Sequence, residues 1–278
     1  MRKTKSQLKK EFNVENPLVS IIVPTYNRRD LLPRTIQSIL NQTYKNIEII
    51  VVNDCGIDVK DVLGNFHDPR IRYFSNNKNM GLGATRNHGL RESKGSVIGF
   101  LDDDDCYWPK HVEILVGELR SGNNKLVYSN ALRMVYQKQE GGQLALVGRD
   151  LPYDVDYNHD LLLIQNITPV NTYLFYKSLL NGKIWFDENV RVYEDHLLLI
   201  ELSQLTDFTH VKLVTCEYSW RMDGSTMSSS RDDFTTLLPE VYRRCRKYAK
   251  DKEWVEKIQD QMLSERGMTI DSNPLSVL

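Results

Sequence analysis

The stretch VIGFLDDDD, residues 97–105, places four consecutive aspartates directly after a short apolar run. The apolar part is typical of a buried strand, and packing gives no reason to crowd four like charges at its end. In a strand, the first and third aspartates would share one face and the second and fourth the other. Carboxylates that converge at a strand end suit Mg²⁺ or Mn²⁺, which in turn holds phosphate. A solvated acidic loop is the alternative interpretation.

The segments around this stretch alternate between apolar runs and amphipathic helices. We predict strands at 19–23, 47–52, 71–74 and 97–101, with helices at 29–41 and 84–91. Such alternation indicates βαβ units and an α/β fold, with a Rossmann-like, mostly parallel sheet flanked by helices. Polar clusters at 25–27, 53–54 and 102–105 follow three of the strands. Ligands bind at the carboxyl ends of such strands, so a binding site is expected there.

The rest of the chain predicts a mixed second half. Helices are expected at 109–120 and 194–205, strands at 125–129, 172–176 and 211–220, and a hairpin over 132–147 that turns at Gly141 and Gly142. We divide the chain into a flexible tail (1–16), a main domain (17–230) and a C-terminal helical extension (231–278). Within the main domain we separate residues 17–130 from residues 131–230.

Composition excludes several classes of protein. The net charge of −1 gives no indication of nucleic-acid binding, and 41% hydrophobic with 26% charged residues is ordinary for a globular domain. The four cysteines are scattered, which argues against a disulfide scaffold or a zinc site. We find no signal peptide and no apolar run of the roughly 18–20 residues that span a bilayer. A cytoplasmic location is expected, with peripheral contact at the inner face of a membrane and self-association through the C-terminal helices left open.

Three motifs occur in order along the chain: VSIIVPTYNR at 19–28, VVND at 51–54 and FLDDDD at 100–105. Together they resemble the family-2 glycosyltransferases with the GT-A fold, closely over 17–130 and loosely over the next hundred residues. The resemblance implies an inverting, metal-dependent enzyme that uses Mn²⁺ or Mg²⁺ at a DXD motif. It would move a sugar from a UDP-sugar donor to a hydroxyl of a glycan, glycoprotein or lipid-linked acceptor. The resemblance makes 17–130 the nucleotide-sugar-binding half and 131–230 the acceptor-binding half.

The resemblance implies a base pocket at the ends of the first two strands, formed by Pro24, Thr25, Tyr26 and Asn27. Tyr26 would stack on or beside the ring, and Asp54 would accept a hydrogen bond from the uracil imide N–H. A turn residue before Gly56 is the alternative role of Asp54.

For the diphosphate and the metal, the resemblance implies further residues. The stretch NMGLGATRN at 79–87 opens a helix whose glycines let backbone N–H groups approach phosphate, and it places Arg86 near the diphosphate. A surface arginine is the alternative. Asp104 is expected on the metal and Asp102 on the ribose or the metal, with Asp103 sharing these contacts. Asp105 is expected to cap the helix after Pro109.

The stretch VYEDHL at 192–197 resembles the family's Glu-Asp element, in which Asp195 would deprotonate the acceptor hydroxyl, with Glu194 beside it at the donor. The alternative is that both acids complement a helix dipole. His196 is expected to be packed or solvated.

The stretch YSWRMDGSTMS at 218–228 resembles the mobile region that closes over the donor. Arg221 and Ser225 or Ser228 would contact the diphosphate. Asp223 stands where many relatives carry a metal-binding histidine, and its carboxylate is expected to bind the metal in that place; a serine-rich surface loop is the alternative. Among Trp108, Trp185 and Trp220, Trp108 is the best placed to stack on a sugar.

Two other functions remain open on the sequence. A non-catalytic nucleotide-sugar-binding subunit would carry the same donor motifs. A sugar nucleotidyltransferase usually has a glycine-rich basic loop after its first strand, and here that turn is PTYNR at 24–28.

Overall fold

A computed structural model describes residues 15–223 and 231–272 of the 278-residue chain. Almost all of the predicted N-terminal tail lies outside these residues, as do Ser225 and Ser228. The described strands are β1 (Val19–Thr25), β2 (Ile47–Asn53), β3 (Ile71–Ser75), β4 (Val97–Phe100), β5 (Cys106–Tyr107), β6 (Leu126–Lys138), β7 (Leu144–Asp150), β8 (Tyr173–Tyr176) and β9 (Phe208–Arg221). The described α-helices are α1 (Leu32–Leu40), α2 (Lys60–Gly64), α3 (Leu82–Glu92), α4 (His111–Ser121), α5 (His159–Leu162), α6 (Glu194–Ser203), α7 (Arg231–Cys245) and α8 (Glu253–Ser264).

The strands form one nine-stranded sheet in the order β3-β2-β1-β4-β8-β6-β9-β5, with β7 paired to β6. The first four strands are parallel to one another. Beyond β4 the sheet is mixed, since β8 is antiparallel to β4 and β6, while β6 and β9 are parallel. The sheet is therefore Rossmann-like over its first half, as the alternation of apolar and amphipathic segments predicts.

The central strands are buried on both faces. All seven residues of β1 and of β2 are buried, which explains why their sequences are apolar runs rather than alternating patterns. Neighbouring residues belong to different apolar clusters: Ile22 and Ile50 to one, Ile21 and Ile49 to the other. The helices cover both clusters, and this leaves the strand ends as the place where polar side chains gather.

Element boundaries differ from the sequence-based prediction at the acidic run. Strand β4 ends at Phe100, and the aspartates lie in a turn rather than in an extended strand. The predicted alternation of the four carboxylates between two faces is therefore wrong.

In the second half, β6 continues to Lys138, and the predicted hairpin turn contains Gly141 and Gly142 with φ of 95° and 86°. Both angles lie in the left-handed region that glycine adopts at low cost.

The C-terminal helices pack on the main core. Val241, Cys245 and Val255 are fully buried in the same apolar cluster as β4 and α6. Two hydrogen bonds fix them to the segment after α5: the Tyr242 hydroxyl donates to the Ile164 carbonyl at 3.0 Å, and the Gln259 amide to the Leu163 carbonyl at 2.8 Å.

None of the described helices combines the length and the apolar composition that crossing a bilayer requires.

Candidate active site

A cleft of about 1350 Å³ opens at the carboxyl ends of β1, β2 and β4. It brings together most of the site residues that the sequence predicts. Its lining includes Pro24, Thr25, Tyr26, Asp54, Arg86, Asp102, Asp103, Asp104, Glu194 and Asp195. These residues are up to 171 positions apart in the chain (24 to 195), and the sheet gathers them at one edge.

The acidic turn is buried and held by hydrogen bonds and ion pairs. The Thr25 hydroxyl donates to Asp103 Oδ2 at 2.7 Å, and Arg28 Nη1 donates to Asp103 Oδ1 at 3.1 Å. Asp104 Oδ2 lies 3.2 Å from Arg28 Nη1 and 2.8 Å from Arg221 Nη2. The interpretation as a solvated loop is therefore wrong. Arg28 belongs to the first motif, but no pattern in the sequence indicates this role for it.

Asp105 does not cap helix α4. Its carboxylate is buried and accepts hydrogen bonds from the Ser219 N–H at 2.9 Å and from the Asn171 side-chain amide at 3.2 Å. Helix α4 instead begins after Lys110 without a side-chain cap. The expected capping role is thus corrected: Asp105 ties the acidic turn to β9.

The acidic turn crowds several carboxyl groups into a buried position. Burial raises the pKa of Asp103 to about 6, against the attraction of Arg28, and raises the pKa of Asp105 well above its usual range. Asp102, Asp103, Asp104 and Glu194 pair with the guanidinium groups of Arg28, Arg86 and Arg221, whereas amide groups hold Asp105. A divalent cation bound beside these carboxyl groups would favour their ionised forms.

Arg86 is fully buried and bridges two sides of the cleft. Its Nη2 donates to Asp102 Oδ1 at 2.7 Å and its Nη1 to Glu194 Oε1 at 2.5 Å. Burial disfavours the charged form of Arg86, but Asp102 and Glu194 outweigh that effect and raise its pKa. Burial also raises the pKa of Glu194 to about 7, although Arg86 opposes that shift. The interpretation as a surface arginine is wrong.

Asp54 organises the loop before α3. Its Oδ1 accepts hydrogen bonds from the Met80 N–H and the Asn76 amide, both at 2.8 Å, and its Oδ2 accepts one from the Gly81 N–H at 2.8 Å. The loop, Asp54 and the start of α3 all line the cleft. Gly81 has a φ of 87°, a conformation that favours glycine.

Asp195 stands in the first turn of α6, where two N–H donors hold its carboxylate. The Asn166 amide donates to Asp195 Oδ2 at 3.1 Å, and the His196 backbone N–H donates to Oδ1 at 2.7 Å. Asp195 remains partly exposed and lines the cleft. Asn166 also lines it, and no motif in the sequence indicates its role. His196 is packed as expected, with its Nε2 2.6 Å from the Leu162 carbonyl and burial lowering its pKa.

Some predicted residues do not line the cleft. The Asn27 side chain accepts a hydrogen bond from the Ile57 N–H at 3.0 Å, and Arg221 is buried against Asp104. Trp108 lies beside Glu217, while Asp223 is exposed. Trp220 is the tryptophan that does line the cleft, so the ranking of Trp108 above Trp220 is corrected.

The carboxylates of the cleft fit a metal ion that takes its remaining ligands from a bound phosphate and from water. Asp102 and Asp104 supply the hard oxygen atoms that Mg²⁺ and Mn²⁺ prefer, and both line the cleft. Over the described ranges, no group of three or more His, Cys, Asp or Glu side chains is arranged to hold a metal. Mg²⁺ commonly binds through one or two carboxylates and takes its other ligands from phosphate and water.

The fold and the site together define an α/β protein with an acidic cleft at the carboxyl ends of its parallel strands, and sequence comparison identifies the family. Residues 20–167 match the family described as glycosyl transferase family 2. The chain belongs to this family, and the protein is a glycosyltransferase.

Two bacterial relatives illustrate the similarity. An uncharacterized glycosyltransferase of Rickettsia typhi is 33% identical over 232 residues, which cover 81% of this chain and 71% of the relative. The GalNAc(5)-diNAcBac-PP-undecaprenol beta-1,3-glucosyltransferase of Campylobacter jejuni is 30% identical over 226 residues, 80% of this chain and 71% of that protein. The match to an uncharacterized glycosyltransferase of Bacillus subtilis spans 65% of that protein's length.

Solved structures share the GT-A fold. S. aureus TarS 1-349 in complex with UDP superposes with a TM-score of 0.66 at 18% identity, over 88% of this chain and 70% of that one. The same protein has been solved with UDP-GlcNAc, with a TM-score of 0.65. The mannosyltransferase PcManGT of Pyrobaculum calidifontis, in complex with GDP-Man and Mn²⁺, gives a TM-score of 0.62 at 15% identity, over 93% of this chain and 80% of that chain.

Proposed function

We propose that this glycosyltransferase moves a sugar from a UDP-sugar to an acceptor hydroxyl with inversion at the anomeric carbon. The observation that carries the proposal is that Asp195, a partly exposed carboxylate held by two N–H donors, lines the same cleft as the acidic turn. Direct displacement of a diphosphate needs a base for the acceptor hydroxyl and a site for a cation that neutralises the leaving diphosphate. This cleft offers a candidate for each.

The donor's base is assigned to the ends of β1 and β2. Tyr26 is 45% exposed at the cleft, which leaves its ring available to stack on a uracil. Asp54 Oδ2 accepts a hydrogen bond from Gly81, and a carboxylate oxygen can accept two, so it can also accept the uracil imide N–H. The TarS structures with UDP and UDP-GlcNAc support a uridine nucleotide.

Asp104 and Asp102 are proposed to hold Mg²⁺ or Mn²⁺ at the donor diphosphate, and the PcManGT complex with Mn²⁺ supports this choice. When bound, the metal would neutralise charge on the departing nucleoside diphosphate. Arg28 and Arg221 pair with Asp104 and hold its carboxylate in place. Arg86 fixes Asp102 and Glu194 and keeps two acids ordered at the cleft.

The proposed chemical step uses Asp195 as the base. The acceptor hydroxyl oxygen attacks the anomeric carbon while its proton passes to the Asp195 carboxylate. The bond between that carbon and the diphosphate oxygen breaks on the opposite side, and UDP leaves with the electron pair. An α-linked donor therefore gives a β-linked product. The C. jejuni relative is named a beta-1,3-glucosyltransferase of a polyprenyl-linked glycan, which supports a β-linkage and a lipid-linked glycan among the acceptor classes.

Donor binding tests this proposal directly. Calorimetric titration of UDP-, GDP- and dTDP-sugars, with and without Mn²⁺, should give saturable binding for a UDP-sugar that the metal strengthens. Asp104→Ala should remove the metal dependence, while Asp61→Ala, at an exposed carboxylate on α2, should retain it. Absence of binding by every nucleotide sugar would contradict the proposal, and preference for a GDP- or dTDP-sugar would contradict the choice of uridine.

A further inference from the structure

The cleft is larger than one small ligand needs. Its volume of about 1350 Å³ exceeds the roughly 300–1000 Å³ typical of a site for one drug-sized molecule. The donor residues proposed above come from β1, β2, α3 and the acidic turn. A second group of lining residues comes from β6, β9 and the segment after β7, namely Arg133, Tyr153, Tyr218 and Trp220. We call this second group the acceptor subsite.

Ring contacts join these four residues into one surface. The rings of Tyr153 and Tyr218 lie 6.4 Å apart at 51°, and the Arg133 guanidinium lies 5.2 Å from the centre of the Trp220 ring. Arg133 and Tyr218 are paired in register between β6 and β9, and Trp220 follows two residues after Tyr218, on the same side of the strand.

The acceptor subsite adjoins the acidic turn and shares the cleft with the proposed base. Ser219, which stands between Tyr218 and Trp220, donates its N–H to Asp105 at 2.9 Å and its hydroxyl to the Asp104 carbonyl at 2.7 Å. Tyr153 and Asp195 line the same cleft, and the charge of Asp195 adds to the effect of burial in raising the pKa of Tyr153. A molecule bound on the subsite would therefore lie in the cleft that holds Asp195, where the acceptor hydroxyl must lie.

The charge of the subsite is compensated. Arg133 Nε donates to Asp150 Oδ1 at 2.8 Å, and its Nη2 donates to Asp150 Oδ2. An acceptor with a carboxylate or phosphate at this place would meet the negative charge of Asp150 beside the guanidinium. The surface therefore offers aromatic faces and an arginine whose charge is compensated by its neighbour.

We propose that the acceptor subsite binds a neutral hexopyranose ring of the acceptor, with Trp220 and the two tyrosines contacting its apolar C–H face. This inference rests on the proposed function, since it names the acceptor for the same reaction. Aromatic rings supply rigid apolar area, and Arg133, its charge compensated by Asp150, supplies a donor for ring hydroxyls.

Binding of simple glycosides to the protein already saturated with UDP tests the acceptor subsite independently of the donor site. The full chain, saturated with UDP and Mn²⁺, is titrated with methyl β-hexosides (glucoside, galactoside and N-acetylglucosaminide) and with methyl β-glucuronide, followed by saturation-transfer NMR. We expect a neutral hexoside to bind, with the strongest transfer to the ring protons of one face. Trp220→Leu should weaken its binding about tenfold, since an aromatic contact is worth about that much. Trp220→Phe should retain most of it.

Two controls make the result decisive. Trp254→Leu, the same change at a half-exposed tryptophan on α8 away from the cleft lining, should leave hexoside binding unchanged. UDP affinity, measured for every variant, reports whether the fold and the donor site are intact.

Asp150→Asn removes the negative charge beside Arg133 and should shift the preference of the subsite toward the glucuronide.

The outcomes are distinguishable. If UDP binds and the neutral hexosides do not, or if Trp220→Leu binds them as well as the wild type does, the acceptor subsite is wrong and the donor proposal stands. A wild-type preference for the glucuronide would overturn the neutral class. If UDP does not bind the wild-type protein, the proposed function fails and this inference fails with it.

Discussion

Arg86 joins the two sides of the site through its ion pairs. Its guanidinium is almost fully buried, and it pairs with Glu194, which is also buried, and with the more exposed Asp102. Removing one partner of a buried ion pair leaves an uncompensated charge, whereas replacing the whole pair by apolar side chains is often neutral. The stability of the site should therefore depend on this pairing rather than on any one of the three groups.

We expect Arg86→Met to lower the free energy of unfolding by about 3–5 kcal/mol, because Glu194 loses its partner in a buried position. The double variant Arg86→Met with Glu194→Met should recover a large part of that loss. Urea denaturation of both variants and of the wild type measures the difference. Equal destabilisation in the single and double variants would contradict this account of the pairing.

Asn166 is expected to position Asp195. Asn166→Ala removes the amide that donates to Asp195 Oδ2, so the carboxylate loses one of its two holding contacts and kcat should fall on the order of tenfold. The affinity for UDP should not change, because Asn166 contacts the proposed base and not the donor residues. Steady-state kinetics with UDP titration separates the two effects. An unchanged kcat would remove Asn166 from the mechanism.

The sequence predicted the site residues that lie in motifs, but it did not predict the residues that bond to them. The ends of three strands indicated Thr25, Asp54 and the acidic run. The partners Arg28 and Asn166 are fixed by contacts with residues 75 and 29 positions away, respectively, and no local pattern reports such pairs.

Among the elements, helix α3 is the one whose packing is tightest near the site. A Cβ atom at Gly83 would lie 2.8 Å from the Asp187 carbonyl oxygen. Asn87, one turn later, bonds both the carbonyl and the N–H of Phe186. The glycine thus lets α3 approach the segment that leads into α6, and this brings Arg86 within reach of Glu194.

We expect Gly83→Ala to destabilise the protein by about 1–3 kcal/mol, because the added methyl group meets backbone that cannot move cheaply. Gly117→Ala is the matched control, since that glycine lies inside α4 with nothing within 4 Å of the added atom. It should stabilise the protein by about 0.5–1 kcal/mol through helix propensity. Thermal unfolding of the two variants tests the contrast, and a stable Gly83→Ala protein would show that α3 has room to shift.

Element types were largely predictable because the apolar runs of β1, β2 and β4 are buried on both faces. The conformation after Phe100 was not, because an acidic run in a strand and one in a turn have the same local composition. The turn is set instead by distant contacts, among them the Ser219 N–H on Asp105 and the Ser219 hydroxyl on the Asp104 carbonyl.

For the whole molecule, the C-terminal helices are part of the structure that surrounds the cleft. Phe234, Leu238 and Tyr242 on α7, and Met262 and Arg266 at and after the end of α8, line it together with the acidic turn. The sequence predicted helices here from their charged amphipathic pattern, but that pattern does not indicate which surface the apolar stripe covers.

Removal of residues 231–278 is expected to prevent stable folding, because it would expose the core positions that Val241, Cys245 and Val255 cover. The measurement is the near-ultraviolet circular dichroism and the unfolding transition of the truncated chain beside the full one. A truncated chain that unfolds cooperatively at the wild-type midpoint would show that the helices are a separate appendage.

We propose Asp195 as the base of an inverting transfer in this cleft. The most direct measurement compares the wild type with Asp195→Asn on an α-linked UDP-sugar and an acceptor glycoside, following UDP release and the anomeric configuration of the product by proton NMR. We predict a β-linked product from the wild type, and turnover reduced about 10²- to 10⁴-fold in the variant with donor affinity retained. An α-linked product, or a variant as active as the wild type, would contradict the account.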